Sequence, residues 1–229
     1  MTDITINLPK DIKNIIAQYK FGWNSINNNN NNDMFVGLNL NKDIRKIQGI
    51  YYNDCKFIDC IFDECTFQNT AFIDCVFQNC TFKSVNMLSD TLIRACDFIG
   101  CIFTGIISIF TEWSVFRKCN FHKLRLCGTI ENLTFDNCNS CNVTMDTNIN
   151  KNCIMDNCHL ECINFMNTVS GNTFNNCEVK KMGIFNKACI IFNECDITAF
   201  NVMSSKNNKI IMKNCNVLFN NSGLRIISS

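Results

Sequence analysis

The chain has almost no proline and little glycine: Pro occurs once, at Pro9, and Gly nine times in 229 residues. Tight hairpin turns lean on these residues, so an architecture of short hairpins is disfavoured. Net charge is nearly absent, with 21 Lys and Arg against 20 Asp and Glu. That balance gives no strong nucleic-acid signal, and no acidic surface either. No apolar run approaches the ~18 residues of a membrane helix. The opening residues, interrupted by Asp3, Lys10, Asp11, Lys13 and Lys20, lack the continuous apolar core of a signal peptide. The expectation is an intracellular protein with no membrane partner.

Phe and Cys are abundant instead, at 20 and 18 copies. Without a secretion signal, and in a chain this long, reduced thiols are a better reading than a disulfide scaffold. The two residue types are also placed together. Residues 55–84 read CKFID CIFDE CTFQN TAFID CVFQN CTFKS. Phe57, Phe62, Phe67, Phe72, Phe77 and Phe82 recur at every fifth position, with Cys55, Cys60, Cys65, Cys75 and Cys80 each two positions before a Phe. Five is neither the helix period of 3.6 nor the strand period of 2. The register continues, with slips, through Met87, Leu92, Phe98, Phe103, Ser108 and Trp113 as central residues, and on to Ile227. Fourteen of the 18 Cys fall two positions before a centre and 13 of the 20 Phe at one. Each unit therefore turns one small and one large side chain inward and three outward. The abundance of Asn reads as no more than the mark of an A/T-rich genome.

This pattern resembles the pentapeptide-repeat family, with Cys at the small position and Phe at the centre. The resemblance covers roughly residues 50–229 and is strongest over 55–84. It implies an all-β fold, a right-handed quadrilateral β-helix with four pentapeptides per coil. Residues 55–229 would then form about nine coils, with the Phe column as the core of a solenoid that gains stability by stacking neighbours.

The chain ahead of Cys55 follows another grammar. Leu8, Ile12, Ile15, Ile16 and Tyr19 lie on one face of a helix, with Pro9 at its start. Residues 1–26 are read as an amphipathic helical segment, 27–33 as an Asn-rich linker and 34–54 as a cap over the first coil. The stretch LPKDIKNIIAQY is similar to the opening helix of an F-box, which implies a Skp-type adaptor of a cullin ubiquitin ligase as partner, with Leu8, Pro9, Ile12, Ile15 and Ile16 as contacts. A short helix packed on the solenoid or on a second subunit explains the same residues.

Chemistry is sparse. Cys138 and Cys141 alone have C-x2-C spacing, and Cys138 is already an inward residue, so no metal site and no cofactor is expected; the Cys column is small apolar filling. Stacked pairs such as Cys55–Cys75 and Cys60–Cys80 would hold Cβ atoms about 4.8 Å apart, beyond the usual disulfide range. His122 and His159 sit at outward positions with no partner at motif spacing. No enzyme is expected. The reading is a protein-interaction or structural module in the style of large DNA viruses or A/T-rich protists, virion-associated in the structural case. The F-box-like adaptor, or a DNA-mimic topoisomerase binder, is the alternative; the balanced charge speaks against the mimic. The repeat runs to RIISS, so Ile226 and Ile227 stand beside an open β edge, and a homodimer through that end is expected.

Overall fold

A computed structural model describes residues 28–40, 46–88, 91–104, 107–109, 111–140, 142–203, 208–220 and 227–228. The expected helix of residues 1–26 lies outside them, and among the described residues there is no helix. The rest is one continuous coil of short parallel strands.

The pentapeptide unit has a simple physical basis. The three residues after its Cys form a strand, as in Lys56–Ile58 and Ile61–Asp63. The next residue takes a left-handed conformation and turns the chain through a corner, as Asp59 and Glu64 do at φ 54°. The residue after it, Cys60 or Cys65, sits inside the corner, fully buried. Left-handed φ is costly for most side chains and least so for Gly, Asn and Asp. Among the described residues, twelve of the eighteen non-glycine residues with positive φ are Asn or Asp. Much of the Asn content is therefore corner chemistry, which compositional bias alone does not explain.

Each strand pairs in parallel with the strand four units further on. Lys56–Ile58 pairs with Val76–Gln78, Ile61–Asp63 with Thr81–Lys83, Thr66–Gln68 with Asn86–Met87, and Ala71–Ile73 with Leu92–Arg94. Four strands per turn make a four-sided coil. Corner amides are bonded as well: Asp59 N–H donates to the Gln78 carbonyl (2.9 Å) and Val76 N–H to that of Cys55 (2.9 Å). Sides and corners alike thus satisfy their backbone on the adjacent coil, as burial demands.

One face shows the repeat most clearly. Its inward column runs Phe35, Phe57, Phe77, Phe98, Phe116, Phe135, Met155, Phe174, Phe192, Met212. Eight turns separate Phe57 from Met212, and one more precedes them. The rings lie flat on each other, Phe57–Phe77 at 4.7 Å and 7°, Phe77–Phe98 at 4.7 Å and 4°. That separation is the strand spacing itself, about 4.7–4.9 Å, so backbone pairing sets the ring stacking. Rings on neighbouring faces meet edge-on, as Phe72 and Phe77 do at 5.4 Å and 67°. Phe57, Phe62, Phe67, Phe72, Phe77 and Phe82 are buried, as are Cys55, Cys60, Cys65, Cys75 and Cys80.

Several expectations need correction. The coil begins well before Cys55. Asn28–Asn31, inside the expected linker, is a strand paired with Ile50–Asn53, and Phe35, inside the expected cap, is buried and stacked on Phe57 at 4.7 Å. A polar Asn run forms a strand here because the ladder asks only for backbone groups. The register also differs in the middle of the chain. Ile93, not Leu92, occupies the inward column, opposite Phe72; Ser108 pairs with the exposed Arg125 rather than with an inward residue; and Thr111, buried, not Trp113, continues the Ile93 column. Trp113 is a corner residue, with φ 55° and 56% exposure. Coil length varies: the turn from Phe98 to Phe116 is shorter than the four full pentapeptides that carry Phe57 to Phe77.

The later coils open the corners further. His159–Phe165, Glu178–Ile184 and Asp196–Val202 are strands of 7 residues each that run through what was a corner. Cys162, Lys181 and Ala199 stand there without left-handed φ, so Asn and Asp are no longer required.

Candidate functional site

The outward side chains form ladders, one rung per coil. Lys83 pairs with Asp63 (3.1 Å), Arg117 with Asp97 (3.1 Å) and Lys151 with Glu131 (3.7 Å). Arg125 pairs with Asp146, and Lys180 with Glu161. Each of these pairs joins adjacent coils. Asn rungs do the same: Asn176 Nδ2 donates to Asn157 Oδ1 (2.8 Å) without charge, and Asn216 Nδ2 donates to the Asp196 carboxylate (2.8 Å). Exposed pairs add little stability singly, but they neutralise the faces. The acidic Asp63–Glu64 step is thereby divided: Asp63 answers Lys83, and Glu64 turns a corner.

One face carries a shallow groove of about 350 Å³, walled by Ile102, Asn120, His122, Asn139, His159 and Glu161. His159 is the chemical centre of this face. Its Nδ1 lies 2.9 Å from a Glu178 carboxylate oxygen, its Nε2 lies 3.4 Å from Glu161, and Glu161 also binds Lys180. Lys180 and His159 hold the exposed Glu161 carboxyl below its ordinary range. Sequence spacing misses this cluster because Glu178 stands a whole coil away from His159. His122 is exposed on the same face. The hydroxyl nearest in register, Ser140, points into the core and is buried. The cluster thus brings together an imidazole, two carboxylates and the Lys180 ammonium. Among the described residues, no three His, Cys, Asp or Glu side chains converge to hold a metal. Cys138 is buried in the core, and Cys141 lies outside the described residues.

The interior is more distinctive. At one corner, nine cysteines stack coil upon coil: Cys60, Cys80, Cys101, Cys119, Cys138, Cys158, Cys177, Cys195 and Cys215. The first eight each donate a thiol hydrogen bond to a backbone carbonyl of the previous coil, from Cys60 to Phe35 O (3.4 Å) through to Cys195 to Phe174 O (3.5 Å). A thiol suits this corner because it is small, apolar and still a weak donor. Hydrogen bonds from the preceding thiol, reinforced by burial, push Cys119, Cys138, Cys158 and Cys177 up to about 12. Burial pushes Cys65 and Cys153 up to about 11. No disulfide joins any of the seventeen described cysteines.

Ser140 Oγ has no hydrogen-bond partner in the core, whereas other buried polar side chains do. Asn172 Nδ2 donates to Asn150 Oδ1 (2.8 Å), and Asn172 Oδ1 accepts from the Cys153 amide (3.0 Å). Thr111 Oγ1 donates to Ser114 Oγ (2.9 Å).

The family comparison agrees with this geometry: the model for pentapeptide repeats matches residues 53–87, in eight copies. The chain carries pentapeptide repeats. No curated protein matches it. Among solved structures, the repeat solenoid is similar to HetL, a pentapeptide repeat protein involved in heterocyst differentiation regulation from the cyanobacterium Nostoc sp. strain PCC 7120. Identity is 8%, coverage is 92% of this chain and 98% of that one, and the TM-score is 0.39. Full-length QnrB1, a plasmid-mediated fluoroquinolone resistance protein, matches at 15% identity over 81% of this chain and 94% of its own, with a TM-score of 0.22. The F-box-like residues, Leu8, Pro9, Ile12, Ile15 and Ile16 among them, lie outside both the family match and the described structure.

Proposed function

We propose that this pentapeptide-repeat solenoid is a non-enzymatic module that works through its outer faces, binding a protein partner or serving as a structural rod. The filled interior carries the reading. Stacked aromatic rings occupy the coil from Phe35 to Phe135, and aliphatic, Met and Cys side chains continue the core to Met212. Among the described residues the core is packed with side chains, and the groove beside His159 is a shallow surface feature. The faces are long, flat and charge-neutral, which suits contact with protein better than with nucleic acid. The unbridged thiols favour a reducing, intracellular setting.

The test is affinity capture from extracts of the organism that makes the chain, with a core-disrupted variant as control. One or a few proteins should copurify in stoichiometric amount with the folded chain only. High copy number in assembled particles would select the structural role. A Skp-type adaptor lost on deleting residues 1–26 would select the F-box-like one. Turnover of a small molecule by the purified chain would overturn the proposal. Self-association belongs to the same reading, through the end that carries Ile226 and Ile227. Ile227–Ser228 is a strand paired with Lys209–Lys213, whereas Ile226 lies outside the described residues. Light scattering should show a dimer that Ile226→Lys with Ile227→Glu converts to monomer; a monomeric wild type refutes it.

A further inference from the structure

The cysteine column has one accessible end. Its members from Cys60 to Cys195 are 0–2% exposed. Cys215 differs. It is only half-buried, and its sulfur accepts the Cys195 backbone N–H at 3.5 Å, so it lies over the Cys195 coil. Its own thiol donates to Lys213 O (3.2 Å). Strands Asp196–Val202 and Asn216–Asn220 are in parallel register, with Asp196 opposite Asn216. Cys195 and Cys215, each one position earlier, are therefore one ladder step apart, about 4.8 Å. Where the two stacked sulfurs keep the backbone spacing, a cation midway between them lies about 2.4 Å from each, close to the ~2.3 Å of a metal–thiolate bond.

We propose that Cys195 and Cys215 form a two-coordinate site for a soft monovalent cation of the Cu(I) type. Thiolates select such ions, and two opposed sulfurs suffice for them. Zinc is excluded by the same geometry, since it needs four ligands and no third ligand group converges here among the described residues. The reaction balances as one M+ and two thiols giving one dithiolate complex of charge −1 and two released protons. No electron is transferred. The thiol hydrogen bonds to Phe174 O and Lys213 O are given up in the process. The ion enters from the Cys215 side, because the column behind Cys195 is closed by packed side chains. This inference is independent of the partner-binding reading.

The experiment titrates the reduced, full-length chain anaerobically with Cu(I) in competition with bicinchoninate, at several pH values below 8. One ion should bind first, with affinity rising about 100-fold per pH unit, as two displaced protons require. Cys215→Ser should weaken this step at least 100-fold, its fold checked by circular dichroism. Cys127→Ser, Cys162→Ser and Cys189→Ser, which alter the other half-buried thiols, should leave it unchanged. X-ray absorption on the wild-type complex should show two sulfur ligands and no nitrogen or oxygen. Unaltered binding by Cys215→Ser, loss on changing Cys127, Cys162 or Cys189, or a first ion with three or more ligands would each overturn the proposal.

Discussion

Truncating Phe77 to Ala should be among the most damaging single changes in the molecule. The ring is 1% exposed. It is stacked on Phe57 below and Phe98 above, both at 4.7 Å, and meets Phe62, Phe72 and Phe82 edge-on at 6.3, 5.4 and 5.6 Å. Removing a buried Phe ring typically costs about 3–5 kcal/mol. Aromatic pairs add roughly 0.5–1.5 kcal/mol each beyond area, and five pairs are lost at once, so the upper end of the range applies. At roughly 2–4 °C per kcal/mol for a chain of this size, the melting temperature should fall by about 10–15 °C. Gln78 is the next residue along and points outward; Gln78→Ala should stay within about 0.5 kcal/mol. Thermal melts followed by far-UV circular dichroism measure both. Small, equal shifts would refute the inward–outward assignment on which the whole coil rests.

Further outcomes follow from the corners and the thiols. Asn137 turns a corner at φ 53° and is exposed, so Asn137→Gly should be neutral in melting temperature while Asn137→Val should cost about 1–2 kcal/mol. Gly100 has φ +63° and its missing Cβ would sit 2.9 Å from Asn79 Oδ1, so Gly100→Ala should be destabilising in denaturant titration and partly rescued by Asn79→Gly. The raised thiols hold protons in the folded chain that the unfolded chain, at a thiol pKa of ~8.5, gives up. Their stabilisation is therefore whole below about pH 8.5 and is lost as pH climbs toward about 11 for Cys65 and Cys153 and about 12 for Cys119, Cys138, Cys158 and Cys177. Denaturation midpoints should be flat from about pH 6 to 8 and fall steeply above about 9, by about 1.4 kcal/mol per pH unit per thiol. Of the described cysteines, Cys127, Cys162, Cys189 and Cys215 should react with a thiol reagent in the native state, and the thirteen buried ones only after unfolding.

The period was legible in residues 55–84 because one large and one small side chain per unit face a narrow interior, and Phe and Cys mark those positions cleanly. It blurred where neighbours were equally apolar. Leu92 and Ile93 both suit a core, and only the ladder places Ile93 inside. Trp113 falls at a centre on a strict count of five from Phe98, yet it stands at a left-handed corner between Glu112 and Ser114. The better guide was polar: an Asn or Asp two positions after many of the centres, as at Asp59, Asp74, Asn79 and Asn137, reports the corner itself. The pairing of His159 with Glu178 depends on a coil shorter than four full pentapeptides, a length that no strict period of five yields. The first turn was hidden because its opening strand, Asn28–Asn31, is all Asn, and a ladder of backbone bonds needs no apolar residue to form.

The most direct test of the coil is a charge swap across one rung. Asp63 and Lys83 are ladder partners on adjacent coils, with 3.1 Å between charged atoms. Asp63→Lys and Lys83→Asp each place like charges on adjacent coils, and the double variant restores the pair in reverse. The four-per-turn solenoid predicts that each single variant melts a few degrees lower and that the double returns close to wild type. A double variant whose loss equals the sum of the two singles would contradict it.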